Sequence, residues 1–125
     1  MTAATNYTEN ELLDHLLAVG AFTSPTNVYM KLHTGAPGED ATGNAAANTT
    51  RVLASFGAAS GGTATSDADI AWTNVSNTET YTHWSLWDAA TGGNPLVYGA
   101  FDSGISVTAG DNFTVESGNL TVTLA

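Results

Sequence analysis

The sequence predicts a mainly β fold: an antiparallel β-sandwich or barrel-like domain with one N-terminal amphipathic α-helix. Three observations lead there. Short apolar-alternating runs recur between turns rich in Gly, Asn, Ser and Thr, the pattern of antiparallel strands. A single stretch near the start has helical spacing. The aromatic-rich segment Thr80–Phe101 reads as a hairpin that carries much of the core. A chain of 125 residues fits one domain. Within it the expectation is a flexible arm over 1–7, a helical segment over 8–20, and strands across 27–125.

The helix has a start signal and a stop signal. Thr8-Glu9-Asn10-Glu11 has the form of a capping box, in which Thr8 and Glu11 satisfy each other's backbone N–H. Glu9, Glu11 and Asp14 suit the positive end of the helix dipole. Leu12, Leu13, Leu16, Leu17 and Val19 follow at helical spacing, and Gly20 is a natural stop. The leucine stripe is expected either to pack over the sandwich and close a sheet edge, or to bind a neighbouring subunit.

After a linker broken by Pro25, Asn27–Thr34 alternates, with Val28, Met30 and Leu32 on one side and Tyr29, Lys31 and His33 on the other. Residues 35–49 form a long loop of small and polar residues, of the kind that is functional or mobile. Arg51–Gly57 reads as a strand, Ala58–Asp69 as a loop, and Ile70–Val75 as a short strand. In the hairpin, Asp88–Pro95 supplies the turn, with Asp88 capping it through its side chain. Ser103-Gly104 reads as a further turn before a short apolar piece, Ile105–Val107. Asn112–Glu116 and Leu120–Leu124 read as a closing hairpin around Ser117-Gly118-Asn119.

Charge narrows the function. Twelve acidic residues face only Lys31 and Arg51, for a formal charge of −10. Nucleic-acid binding needs clustered cations, so none is expected, and anionic membranes are disfavoured for the same reason. Arg51, a lone Arg among carboxylates, is expected to pair with one, within the chain or across a subunit contact. There is no Cys and hence no thiolate metal site. The opening MTAATNYTENELLDH has neither a basic nor an apolar stretch, so no signal peptide is expected.

No catalytic signature stands out. Ser85 has His83 two residues away on one strand face, without an orienting acid or an oxyanion loop. His33, His83 and Asp88 are the nearest approach to a zinc set, and Asp67, Asp69, Glu39 and Asp40 to a calcium set. Neither has ligand spacing, and the expectation is no metal and no cofactor. Trp84, Trp87 and Tyr98 would make a sugar-stacking platform if exposed, but core rings are the simpler reading.

The order of motifs resembles a known family. An acidic, Leu-rich helix precedes Pro25, Val28, Tyr29, Leu32 and Thr34, and a Gly/Asn-rich loop then ends in the Arg51 strand. Next come the Trp- and Thr-rich hairpin with Asp88–Asn94, Ala109-Gly110-Asp111, and a closing run over 118–124. This is similar to small virion proteins of tailed bacteriophages, described as tail-fibre-like, minor tail or head-decoration proteins. The loop before Arg51 lacks the aromatic residue expected near it. The resemblance implies a virion location without saying head or tail, and with no catalytic signature the expectation is a non-enzymatic virion protein made in the host cytoplasm. The reading favoured is a capsid decoration (cement) protein on the head surface, acting as a trimer against the major capsid protein or other virion proteins. The alternative is a tail or fibre component that binds host-surface glycans. Leu12, Leu16, Glu39, Asp40 and Arg51 are the expected interface residues. The arm 1–7 and the loop 35–49 are expected to reach neighbours and order on contact.

Overall fold

A computed structural model describes residues 2–124. The fold is mainly β, with 41% strand and 9% helix. Its largest sheet has five strands in the order β1-β7-β6-β2-β3, formed by Thr2–Ala4, Pro95–Val107, Glu79–Trp87, Val28–His33 and Val52–Ala54. Two antiparallel ribbons complete it: β4 (Thr63–Thr65) with β9 (Thr121–Thr123), and β5 (Ile70–Trp72) with β8 (Phe113–Val115). The helix α1 spans Asn6–Leu16.

Alternation divides the five-stranded sheet into two faces. Met30, Leu32, Tyr81, Trp84, Leu86 and Val97 point inward to a core shared with Ile70, Trp72, Phe113, Val115 and Leu120 of the ribbon side. Phe113 is the hub, with ring centroids 5.5 Å from both Trp72 and Tyr81 and 6.1 Å from Phe101. On the opposite face, register sets Tyr29 beside Trp87, Lys31 beside Ser85 and His33 beside His83. The second face is the one on which polar chemistry collects.

Several expectations are corrected. Thr2–Ala4 is no free arm: it pairs with Val97–Gly99 as an edge strand, and Met1 lies outside the described residues. The helix starts a turn earlier than expected. Thr5, not Thr8, is the N-cap, and its Oγ1 accepts from the Thr8 N–H at 3.3 Å. Thr5 also donates to the Pro95 carbonyl at 2.6 Å, so the cap is fixed by a strand distant in sequence. The helix ends before Gly20. Leu17 is the C-cap and Ala18 takes the left-handed conformation, with φ 60°. The loop 58–69 contains β4, whose pairing with β9 was not foreseen. β8 and β9 do not form a hairpin with each other, because each pairs with a different strand.

Ser103-Gly104 is not a turn either. β7 runs through it, and a Cβ on Gly104 would stand 3.0 Å from the Thr80 methyl. Glycine there permits close strand approach near the irregularity between Tyr81 and His83. The β6–β7 turn does behave as expected. Asp88 accepts from the Asn94 backbone N–H at 2.7 Å and from its side-chain amide at 3.1 Å.

The long loop is ordered and lies against the sheet. Ala46 N–H donates to Leu32 O, Thr34 N–H to Asn44 O, and the Glu79 carboxylate accepts from the N–H groups of Ala47 and Asn48. Ala41, Ala46 and Asn48 are buried. A loop tied down this way does not have the free reach expected of 35–49.

Candidate functional site

The outer face of the sheet carries a continuous polar chain at its centre. His33 is fully buried, with Nδ1 2.9 Å from the Gly43 carbonyl and Nε2 2.8 Å from Ser85 Oγ. A carbonyl only accepts, so Nδ1 carries the proton and Nε2 accepts from Ser85. Ser85 Oγ in turn accepts from Trp87 Nε1 at 2.8 Å. Every donor in this chain has one acceptor. Burial pushes the His33 pKa down to about 4, so the ring is neutral at pH 7. Ser85 and His33 therefore meet, but as buried structural partners that fasten the loop to the sheet. Neither is open to a substrate.

Beside this chain stand both cationic side chains. The Arg51 guanidinium carbon is 3.9 Å from the centroid of the Trp87 ring, and Lys31 Nζ is 5.5 Å from it. Such contacts are worth roughly 0.5–2 kcal/mol each, more when desolvated. Arg51 Nη1 donates to the carbonyls of Ala89 and Gly92 at 2.9 and 2.7 Å, clamping the β6–β7 turn. Its partners are thus carbonyls and a ring, where the sequence suggested a carboxylate. Burial lowers the Arg51 pKa, and the charge of Asp88 opposes that shift. At Lys31 burial and the charge of Arg51 both act downward.

The predicted aromatic platform does not form. Trp84 is 2% exposed within the core, and Trp87 is 7% exposed beneath the two cations. Only Tyr98 keeps a partly open ring, beside Ala3 of the edge strand. The acidic residues are scattered. Asp69 accepts from the Ser117 N–H, Asp67 bonds Ser55, and Asp40 bonds the Thr42 backbone and hydroxyl. His33 and His83 are register partners, whereas Asp88 is tied into its turn. No three metal-ligating side chains come together among the described residues.

The helix is the other notable surface. Its N-terminal half is seated. Thr8 is buried, Leu12 is half-buried, and Tyr7 packs edge-on against Phe22 at 6.2 Å. Beyond Leu12 the seat ends. Leu13, Leu16, Leu17 and Val19 are 54%, 75%, 69% and 73% exposed. The expectation that this stripe closes a sheet edge is corrected for those four residues. A groove of about 580 Å³ runs beside the helix, lined by Ala3, Leu12 and Leu124 among others. Glu39 and Asp40 are exposed near the helix start, where the Asn6 N–H donates to the Glu39 carbonyl. Of the expected interface residues, Leu16, Glu39 and Asp40 are thus open, while Leu12 and Arg51 are largely engaged within the chain.

Sequence reasoning missed Leu53, which is 53% exposed on the edge strand β3, and missed that both cations converge on Trp87. A usable signal was present, because Tyr29 and Lys31 share one face of their strand. The cross-strand register that brings Trp87 to them was not.

The profile of a family described as "Podophage GP4 fiber I protein gp80" matches residues 3–123. The chain belongs to this family of podophage fibre proteins. The match covers α1 and every strand but for Thr2 at the start of β1, so it concerns the whole fold rather than one motif. It bears out the resemblance to tailed-phage virion proteins. No curated protein matches the chain. No helix is long and apolar enough to cross a membrane among the described residues.

Proposed function

We propose that this chain is a non-enzymatic structural subunit of a phage fibre, working in the virion through contacts with other protein surfaces. The observation that carries the reading is the uncovered leucine face of α1, on a chain whose family is described as a fibre protein. Four large aliphatic side chains stand open to water on one short segment, and such patches mark interaction sites. The buried Ser85–His33 pair supports the same reading, since it shows where the polar side chains go: into fastening a loop.

A fibre position is preferred to the head-decoration position expected from sequence, because the family description names a fibre. In either place the subunit acts by linkage, stabilising the assembly to which it binds. Closed symmetry is the common arrangement of homo-oligomers, and a trimer is the form proposed for this subunit. Glycan stacking is a weaker reading, as the two tryptophans offered for it are buried.

Immunogold labelling of intact particles tests the proposal. Label on tail-associated fibres is the expected result. Label spread over the capsid faces would restore the decoration reading, and protein absent from purified particles would remove both.

A further inference from the structure

The chain has only two Lys or Arg side chains, and both stand at one corner of the sheet. That corner also carries exposed apolar surface. Leu53 on β3 is 53% exposed, and its register partner Tyr29 is half-buried. Lys31 lies two residues from Tyr29 on the same strand face. Its charge is disfavoured by burial and by Arg51, and both influences would be offset by a carboxylate brought from outside.

The matching surface is on the same polypeptide. Leu13 and Leu16 on α1 form one exposed patch with the C-cap Leu17. Glu9 stands one turn before Leu13, and Asp14 lies beside Leu17 at i+3 spacing, both exposed. The helix has no Lys or Arg. Two such helices meeting face to face would set acid against acid with no cation between them. The helix and the Lys31–Arg51 corner are complementary in both charge and apolarity.

We propose that copies of this chain associate head to tail, with α1 of one copy laid on the Leu53–Tyr29 corner of the next. Glu9 and Asp14 face Lys31 and Arg51 across the contact. The inference rests on the reading of the chain as a contact protein, and specifies that reading's partner as a second copy. The two surfaces differ, so the contact is heterologous and generates a closed ring or an open filament.

A mixing experiment tests the geometry. Leu16→Asp spoils the helix surface, and Leu53→Asp spoils the corner. By sedimentation velocity the unaltered chain should assemble, and each variant alone should be monomeric with an unchanged circular dichroism spectrum. A one-to-one mixture should recover a two-chain species, because one intact helix and one intact corner remain. Raising salt should weaken assembly several-fold, through screening. Should either substitution unfold the chain, Leu17→Asp and Leu53→Ser replace the pair. Four results would overturn the proposal: an unaltered chain that stays monomeric at ~1 mM, a Leu53→Asp variant that assembles normally, a mixture that stays monomeric, or assembly that salt does not weaken. A chain that is monomeric in solution yet labels virion fibres would remove this contact and leave the fibre role standing.

Discussion

The outer face of the sheet and the helix α1 treat their side chains in opposite ways. On the sheet, Trp87 is enclosed by Arg51, Lys31 and the Ser85–His33 chain, and the 35–49 loop is fastened across it. On the helix, one seated turn at the N-terminus carries an outer half whose leucines touch water. Around Trp87 and His33 the sheet face is satisfied within the chain, and its edge at Leu53 stays open. The outer half of the helix has no cover among the described residues. An apolar residue therefore does not by itself report a core: Trp87 and Leu16 are both apolar, and only the first has its partners in the same polypeptide.

Breaking the satisfied region should have the largest effect. Trp87→Ala removes a buried ring, the acceptor surface for Arg51 and the donor to Ser85, and should cost about 3–5 kcal/mol in urea unfolding. A loss under ~1 kcal/mol would show that the face is less tightly built than its geometry indicates.

Acid should weaken the same region through His33. Its pKa is about 4 in the folded chain, against about 6.5 when unfolded, so the unfolded state binds the proton first. The stabilisation is complete above pH ~6.5 and is lost as pH falls towards 4, by roughly 3 kcal/mol. Protonation also turns Nε2 into a donor facing Ser85, which breaks the order of the hydrogen-bond chain. Unfolding midpoints measured from pH 7 to pH 4 should fall steeply, and His33→Gln should flatten that part of the profile. An equally steep fall in the variant would assign it to the carboxylates.

The turn that Arg51 clamps gives a smaller effect. Gly93 has φ 70°, and a Cβ there would collide with Asp88 and approach Ala89 Cβ to 2.7 Å. Gly93→Ala should cost about 2 kcal/mol by thermal melting, from backbone strain and displacement of the Asp88 cap. The seat of the helix comes next. Thr5→Ala removes the N-cap and a bond to Pro95 O, for about 1–2 kcal/mol and faster amide exchange across the first turn.

Leu16→Asp completes the comparison with the smallest effect on the isolated chain. An exposed position with no internal partner should move stability by no more than about 0.5 kcal/mol. A large loss in the monomer would mean that the helix face already has a seat.

The same contrast explains what could be read from sequence. β2, the β6–β7 hairpin and the Asp88 turn were legible because alternation and turn chemistry are local. The helix was legible, but not its start. Thr8 fits a capping box as well as Thr5 fits a cap, and the choice is made by Pro95 O on a distant strand. β1 and β4 consist only of Thr and Ala, so no large apolar side chain marked them as strands, unlike the equally short β5 and β8. Alternation put Trp84 and Trp87 on opposite faces of β6, but both faces carry large rings, so pattern alone did not say which face is the inner one. Arg51 looked destined for a carboxylate because charge was counted, whereas carbonyls of a Gly-rich turn leave no mark in a charge count.

Hydroxyl-radical footprinting compares the two regions in one experiment, with the free chain and the particle-borne chain oxidised in parallel. Leu13, Leu16 and Leu17 should label strongly in the free chain and lose most of that label in the particle, while Trp87 stays weakly labelled in both. Leucines oxidised equally in the two states would contradict the account, because the helix face would then have no partner to meet.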